Sequence, residues 1–227
     1  MFLKATAAKI LALKTVKKIE SWSQNPEKTQ KKVFDKLIKS ASKTAFGKVH
    51  NFKKIQTYSD FAAQVPIRDY EALKPFVARV VAGESNVLWP GKPLYFAKTS
   101  GTTSGAKFIP LTKESLPNHI QSARNALLCY IYDTGNKDIV DGKMIFLQGS
   151  PILKEQHGIN IGRLSGIVAH YVPKYLQKNR LPSWNTNCID DWEEKVEAIV
   201  TETQNEDMRL ISGIPSWVQM YFERLQA

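Results

Sequence analysis

Residues 94–110 read LYFAKTSGTTSGAKFIP, and this stretch decides the fold. Two short apolar runs, predicted as strands over 94–97 and 108–109, flank a loop, Lys98–Lys107, made almost entirely of hydroxyl residues and glycines. Glycines let several backbone N–H groups turn inward without Cβ clashes, and hydroxyls beside a lysine suit phosphate oxygens. The pattern therefore indicates a phosphate-binding loop rather than an ordinary Ser/Thr/Gly hairpin turn.

The loop matches neither of two common nucleotide-binding patterns. A Walker A motif needs a Lys-Ser/Thr pair leading into a helix, but here three residues separate Gly101 from Gly105, and Phe108 follows Lys107. The glycine spacing also departs from the Rossmann pattern.

Upstream of the loop the sequence is predicted to be helical. A helix is expected over 3–21, with Ile10 and Leu13 on a broad apolar face, and a second over 26–45. Ser59 is predicted to cap a short helix over 60–64, and Asp69 to cap a helix from about Tyr70 to Val81.

Downstream, strands alternate with helices. Strands are predicted at 144–147 and 210–211, and Pro110 is expected to close the strand after the loop. Helices are predicted from Thr112 to about Tyr132, from Asp190-Asp191 onward and over 217–225, while 166–169 is open between strand and helix. This alternation predicts an α/β arrangement with a largely parallel sheet.

Charge is concentrated at the start of the chain. The net charge is +11; residues 1–54 hold 14 lysines and three acidic residues, whereas 55–227 hold 18 basic and 18 acidic residues. This asymmetry excludes a uniformly basic nucleic-acid-binding protein. We interpret the basic start as a solvated helix face, with an anionic-membrane patch, a nucleic-acid patch and a transit peptide as the alternatives.

Compartment and metal signals are weak. Cys129 and Cys188 form no CxxC pair, and no Cys/His cluster has zinc spacing, so no metal site is predicted. Lysines interrupt each apolar run near the start, and no stretch reaches the length of a membrane span. We expect a cytoplasmic protein with no nucleic-acid partner.

The loop resembles the phosphate-binding loop of the adenylate-forming superfamily, the acyl-CoA synthetase and luciferase relatives. Its Ser104-Gly105 departure resembles the GH3 branch, the acyl acid–amido synthetases first known as auxin-responsive proteins. Three further stretches resemble that branch in the same order: TAFGK at 44–48, VPIRDY at 65–70 and IPSW at 214–217.

The resemblance implies a two-step ligase that uses ATP and Mg²⁺. A carboxylic acid and ATP would form an acyl-adenylate, whose acyl group an amino acid's amine would then take. The implied roles are phosphate hydrogen bonds from Ser100, Thr102 and Thr103, and backbone approach at Gly101 and Gly105. Lys107 would pair loosely with phosphate. Thr99 and Ser104 complete the implied ATP-binding set.

The implied acyl-acid contacts are fewer. Ser216 and Trp217 would border the acyl pocket. A second glycine-rich stretch, GINIGRLSG at 158–166, either faces the acyl substrate or is an ordinary loop.

The resemblance also implies an incomplete enzyme, because GH3 members are considerably longer. The fold expected is the N-terminal part of an adenylate-forming large domain, with a helical start, then alternating strands and helices and an incomplete sheet. It would comprise a helical segment over 1–85 and an α/β portion over 86–227. Catalytic residues are expected in a missing C-terminal portion, which could act as a partner, and the chain alone is expected to be inactive. The alternative is a non-catalytic, degenerate relative that binds a partner through its basic N-terminal helices.

Overall fold

The structure, a computed structural model, describes residues 2–99, 105–172 and 174–226. These residues form two compact units. One comprises the chain up to Lys17, His119–Leu153 and the chain from Arg163 onward; the other comprises Lys18–Asn118 and Lys154–Gly162. The predicted boundary at residue 85 stays a prediction.

Helices dominate the first part of the chain, as predicted. The helices are α1 (Phe2–Ser23), α2 (Pro26–Ala41), α3 (Ala45–Val49), α4 (Tyr58–Gln64), α5 (Tyr70–Val81), α6 (Leu116–Thr134), α7 (Leu164–Ala169), α8 (Lys174–Gln177), α9 (Trp184–Asn187), α10 (Trp192–Thr203) and α11 (Pro215–Gln226). Among the residues described, no helix combines the length and apolar character needed to cross a membrane.

The strands form two small sheets, one in each unit. They are β1 (Tyr95–Lys98), β2 (Phe108–Leu111), β3 (Lys143–Leu147), β4 (Lys154–Gln156), β5 (Ile159–Gly162), β6 (Arg180–Leu181) and β7 (Met208–Gly213). One sheet has the order β2-β1-β5-β4 and the other β6-β3-β7. The second is parallel throughout, as predicted, whereas the first is mixed because two of its pairs, β1–β2 and β4–β5, are antiparallel.

In the unit that contains the phosphate-loop sequence, two apolar clusters hold the elements together. Val80, Val87, Phe96 and Ile159 form a buried cluster that joins α5 to β1 and β5. A second cluster packs α2 against the short turn at Phe52–Lys54. The sheet therefore has a helical layer beneath it, and β1 lies between two neighbours.

In the other unit, β3 is the central strand of the parallel sheet. Ile145 and Leu147 pack against Val196, Ile199 and Tyr221 of α10 and α11. The start of α1 packs through Ala12 on Leu128 and Ile131 of α6.

Helix α1 packs through a different face from the one predicted. Ile10 and Leu13 are 50% and 39% exposed, while Ala5 and Ala12 are buried. The expectation that Ile10 and Leu13 lie on the packed face was wrong, because the helix contacts α6 through Ala12, with Ala8 beside it. The interpretation of α1 as a helix packed on the domain is confirmed.

Two further local predictions need correction. Thr57, not Ser59, caps α4, because its hydroxyl accepts from the Asp60 N–H while the Asp60 carboxylate accepts from the Thr57 N–H, a complete capping box. Strand β2 continues through Pro110 to Leu111. Proline is tolerated there because β2 is an edge strand.

Candidate functional site

The phosphate-loop sequence lies at the end of an antiparallel hairpin. Strands β1 and β2 pair down to Lys98 opposite Phe108. Beyond this pair the Thr99 N–H donates to the Lys107 carbonyl at 3.0 Å, and the Lys107 N–H donates to the Thr99 hydroxyl at 3.3 Å. The prediction that Lys98–Lys107 links two paired strands is thus confirmed, and the base of the loop is closed by hydrogen bonds.

Part of the predicted ATP-binding set lies outside the described residues. These positions are Ser100, Gly101, Thr102, Thr103 and Ser104. Thr99, Gly105 and Lys107 are described. Gly105 has a φ of +78°, and, its two chain neighbours aside, no heavy atom of the described residues lies within 4 Å of the position that a Cβ would occupy. The backbone there has a conformation that favours glycine.

Tyr70, the first residue of α5, contacts the Lys107 end of the loop. Its hydroxyl accepts from the Phe108 N–H at 2.9 Å, and the Lys107 ammonium lies 5.4 Å from the centre of its ring. Lys107 is half-buried rather than fully exposed. The predicted cap of α5 is confirmed, because the Asp69 carboxylate accepts from the Ala72 N–H at 2.8 Å.

Packing explains the TAFGK stretch at 44–48. The Thr44 hydroxyl accepts from the Gly47 N–H at 3.0 Å and donates to the Ala41 carbonyl at 2.7 Å, which caps α3 and joins it to the end of α2. A Cβ on Gly47 would lie 2.1 Å from the Ala41 carbonyl oxygen. This stretch therefore fixes a close crossing of backbone, and its role is structural.

The unit with the parallel sheet contains a cavity of about 330 Å³. It lies at the carboxyl ends of β3 and β7, which are neighbouring parallel strands; in α/β sheets ligands usually bind at this edge. The lining residues are Phe146, Leu147, Gln148, Gly149, Arg163, Ser165, Ser212, Gly213, Ile214 and Trp217.

One wall of this cavity is polar and carries positive charge. The Arg163 side chain lies against Gly149, where a Cβ would be 2.7 Å from Arg163 Cδ. Within the described ranges no carboxylate forms an ion pair with Arg163. The Gln148 amide nitrogen is buried and has no hydrogen-bond partner there. This wall is suited to an anionic or hydrogen-bond-accepting group.

A second guanidinium lies behind the cavity wall. Arg180 of β6 stacks over the Phe146 ring, with its guanidinium carbon 5.3 Å from the ring centre. Burial lowers the pKa of Arg180, and its Nε has no hydrogen-bond partner in the described part of the chain.

Other residues that line the cavity are aromatic or apolar. Trp217 lines the cavity and stacks on Trp192, with ring centres 4.2 Å apart and planes 17° apart. Its predicted companion Ser216 is exposed and is not among the lining residues. Of the glycine-rich stretch at 158–166, Arg163 and Ser165 line the cavity, while Ile159–Gly162 forms β5.

Acidic and histidine residues have structural roles where described. Asp191 caps α10 by accepting from the Glu194 N–H at 2.9 Å, as its place at a helix start predicted. His50 and His170 each bond a backbone carbonyl at 2.9 Å. Over residues 2–99, 105–172 and 174–226, no three His, Cys, Asp or Glu side chains are grouped so as to hold a metal ion.

Of the cavity residues, Phe146 and Gln148 were not predicted to belong to a site, whereas Arg163 lies in the 158–166 stretch, for which contact with the acyl substrate and an ordinary loop were both left open. The apolar run at 144–147 signals a strand, and the polar residue after it could have drawn attention to Gln148. The glycine-rich pattern around Arg163 did not single out its side chain, because only the fold brings that side chain beside Gly149.

Comparison with known proteins identifies one family. The family model described as the GH3 family N-terminal domain matches residues 15–196. An Arabidopsis thaliana indole-3-acetic acid-amido synthetase, GH3.2, is 30% identical over 46% of this chain and 19% of its own length. A Nicotiana attenuata jasmonoyl–L-amino acid synthetase, JAR4, is 23% identical over 65% of this chain and 26% of its own length.

Solved structures give the same fold. The chain matches the AtGH3.15 acyl acid amido synthetase in complex with 2,4-DB with a TM-score of 0.75 at 18% identity; the match covers 93% of this chain and 38% of that one. A second GH3.15 structure matches with a TM-score of 0.72 at 16% identity. The chain thus spans less than half the length of these proteins.

Proposed function

The chain belongs to the GH3 family, and from this premise we propose that it forms the ATP-phosphate-binding part of a ligase that joins a carboxylic acid to an amino acid through an acyl-adenylate. The observation that carries the proposal is the hydroxyl- and glycine-rich sequence at the end of a hairpin closed by Thr99 and Lys107. The names of the relatives, amido synthetases for indole-3-acetic acid and for jasmonoyl conjugates, are consistent with this chemistry.

The reaction has two displacements. A carboxylate oxygen attacks the α-phosphorus of ATP, and pyrophosphate leaves. The amine nitrogen then attacks the acyl carbon, loses a proton, and AMP leaves. Neither step requires a nucleophile from the protein, so catalysis depends on positioning and on stabilising charge.

The loop would stabilise the charge that develops on the leaving pyrophosphate. Ser100, Thr102 and Thr103 are proposed to donate hydroxyl hydrogen bonds, and Gly101 and Gly105 to let the backbone approach the phosphates. Thr99, Ser104 and Lys107 complete the set. The left-handed backbone at Gly105 supports this assignment, because loops in which successive N–H groups face an anion commonly include a residue in this conformation.

Mg²⁺ is proposed to arrive on the triphosphate. Magnesium in such sites keeps several waters and binds substrate phosphates with few protein carboxylates. Of the described residues, Thr99 and Lys107 at the base of the loop fit that arrangement, since a hydroxyl and an ammonium group suit phosphate oxygens. When bound, Mg²⁺ would neutralise phosphate charge.

The cavity at the carboxyl ends of β3 and β7 is proposed to hold the carboxylic acid. Phe146 and Trp217 would contact the apolar body of the acid, and the unpaired guanidinium of Arg163 would attract its carboxylate. For Ser216, which is exposed, we propose only a place at the rim of this cavity.

The test is acid activation by a protein of GH3 length that contains these residues. It would be incubated with ATP, Mg²⁺ and aromatic or aliphatic acids, with hydroxylamine as the trap; an acyl-adenylate then yields a hydroxamate. We expect Thr102→Ala and Thr103→Ala each to reduce the rate roughly 10- to 150-fold, because each removes a charge-assisted hydrogen bond. Thr201→Ala, an exposed threonine on α10, is the matched control.

The outcomes separate the two functions. Hydroxamate that depends on Thr102 and Thr103 supports the ligase. A folded protein that forms none with any acid favours the alternative, a non-catalytic binding module. Hydroxamate formation that survives the double substitution contradicts the loop assignment.

A further inference from the structure

Tyr70 makes two different contacts with the same end of the phosphate-loop sequence. Its hydroxyl is the acceptor for the Phe108 N–H at 2.9 Å, and its ring faces the Lys107 ammonium at 5.4 Å. Phe108 follows Lys107 directly, so one side chain, 37 positions before Lys107, restrains both the backbone and the charged group.

The two residues before Tyr70 are themselves hydrogen-bonded within the unit. Asp69 caps α5 through the Ala72 N–H, which fixes the first turn of the helix. Arg68, one residue earlier, donates to His50 Nε2 at 2.9 Å, and its guanidinium lies 5.8 Å from the centre of the Phe46 ring. Tyr70 therefore follows two residues whose side chains are hydrogen-bonded within the unit, and it contacts Lys107 and Phe108 from that position.

The two contacts differ in strength and in consequence. The hydrogen bond satisfies a backbone donor, and its loss would free the start of β2. The ammonium–ring contact is weak at a half-exposed site, weaker than a charge-assisted bond from lysine to phosphate. The Lys107 ammonium can therefore leave the ring to bind a phosphate. Because the ring contact already restricts the rotamers of Lys107, less side-chain entropy is lost when the phosphate binds.

We propose that Tyr70 is a positioning residue of the phosphate site: its hydroxyl anchors the loop at Phe108, and its ring presents Lys107 to the incoming polyphosphate. This inference rests on the proposed function, because it takes the loop to bind phosphate. The role of the VPIRDY stretch at 65–70 would then be to place Tyr70, at the start of α5, in contact with the end of the loop.

Two substitutions separate the contacts. Tyr70→Phe keeps the ring and removes the acceptor, whereas Tyr70→Leu removes both. Tyr58→Leu is the matched control, since Tyr58 is also the first residue of a helix, α4, and is 75% exposed. Thermal melts of each variant show that it is folded.

The first readout needs no ligand. Hydrogen exchange at the Phe108 amide should accelerate roughly tenfold in both Tyr70 variants and stay unchanged in Tyr58→Leu. The side-chain resonances of Lys107, shifted by the aromatic ring, should keep their position in Tyr70→Phe and move to ordinary values in Tyr70→Leu. Unchanged exchange in folded Tyr70→Phe, or unchanged Lys107 resonances in Tyr70→Leu, overturns the inference.

The second readout uses inorganic pyrophosphate as the probe. Tyr70→Leu should weaken binding about three- to tenfold, and Tyr70→Phe by less. In a Lys107→Met background the ring should no longer matter, so the added loss from Tyr70→Leu should shrink to that of Tyr70→Phe. A full, additive loss in that background overturns the role of Tyr70 in presenting Lys107.

The two readouts also separate this inference from the proposed function. If the unsubstituted chain binds no pyrophosphate, the proposed function fails, and with it the phosphate role of Tyr70. If it binds pyrophosphate and all Tyr70 variants bind equally well, only the inference fails.

Discussion

The Nε2 atom of His50 accepts a hydrogen bond from a guanidinium nitrogen of Arg68 at 2.9 Å, while its Nδ1–H donates to the Gln64 carbonyl at the same distance. His50 is 5% exposed, so both ring nitrogens are satisfied in the interior. This pair joins the turn after α3 to the segment that leads into α5.

Replacing His50 tests this junction. His50→Phe keeps a ring against Phe46, whose centre lies 4.5 Å away, but leaves the Gln64 carbonyl without its buried partner. We expect a loss of about 2 kcal/mol in the free energy of unfolding, measured by urea denaturation. His119→Phe, at an exposed position of α6, should change it by less than about 0.5 kcal/mol. Equal stabilities of the two variants would show that the junction contributes nothing.

Gly47→Ala is expected to be strongly destabilising. The added Cβ would lie 2.1 Å from the Ala41 carbonyl oxygen, a backbone atom that moves only if α2 or α3 shifts. We predict a loss of about 2–3 kcal/mol in the free energy of unfolding. Lys48→Ala, the exposed next residue, is the control and should be near neutral. A Gly47→Ala variant as stable as that control would disprove the close crossing.

Glu202 gives a pH-dependent prediction. Burial raises the pKa of its carboxyl group, but the Thr186 hydroxyl at 2.6 Å and the Ser183 N–H at 2.7 Å outweigh burial, so the net pKa lies below the ordinary value. A carboxyl whose pKa is lowered on folding stabilises the protein above its unfolded pKa, and that stabilisation is lost as pH falls through the folded pKa.

Glu202→Gln should therefore reduce the free energy of unfolding near neutral pH by about 1 kcal/mol, a value discounted for partial exposure. Below about pH 4 the difference from the unsubstituted protein should shrink. Denaturation curves across this range check the trend, with Glu155→Gln on exposed β4 as the control. A difference that does not depend on pH would contradict the assignment.

Substitution of Arg163 tests the proposal that the cavity at the carboxyl ends of β3 and β7 holds the carboxylic acid. Arg163→Gln removes the unpaired charge on the cavity wall, and we expect acid-dependent exchange of pyrophosphate into ATP to fall roughly 10- to 100-fold in a GH3-length protein. Arg124→Gln is the matched control, because Arg124 is exposed and donates only to the neighbouring Asn125 side chain among the described contacts. If both variants exchange alike, the acid binds elsewhere.

Local signals predicted some elements accurately. Asp69 and the apolar spacing after it predicted α5 from Tyr70 to Val81, because a cap and a helical period are properties of adjacent residues. The hairpin β4–β5 was missed, since Lys154–Gln156 is exposed and polar and its turn is formed by His157 and Gly158, both with positive φ. Nothing in the pattern of Lys154–Gln156 resembles a half-buried strand.

For the candidate site, too, residues that are adjacent in the sequence could be predicted and residues brought together by the fold could not. The loop proposed to bind phosphate could be identified from the sequence, because its glycines and hydroxyl residues are contiguous. For the cavity, the family resemblance pointed to Trp217 and left the 158–166 stretch open, but the grouping of these segments with Phe146 could not be predicted, because only the tertiary fold brings them together. The contact of Tyr70 with Lys107 is equally non-local.

The most direct measurement is a titration of the isotopically labelled chain with inorganic pyrophosphate, followed by backbone amide resonances at low ionic strength, where phosphate contacts are least screened. The account predicts that the shifted amides cluster within residues 98–108 and that Thr102→Ala/Thr103→Ala abolishes those shifts in a chain that is still folded. Amides in that segment that do not respond, or that respond equally in the double variant, would contradict the claim that this loop binds phosphate.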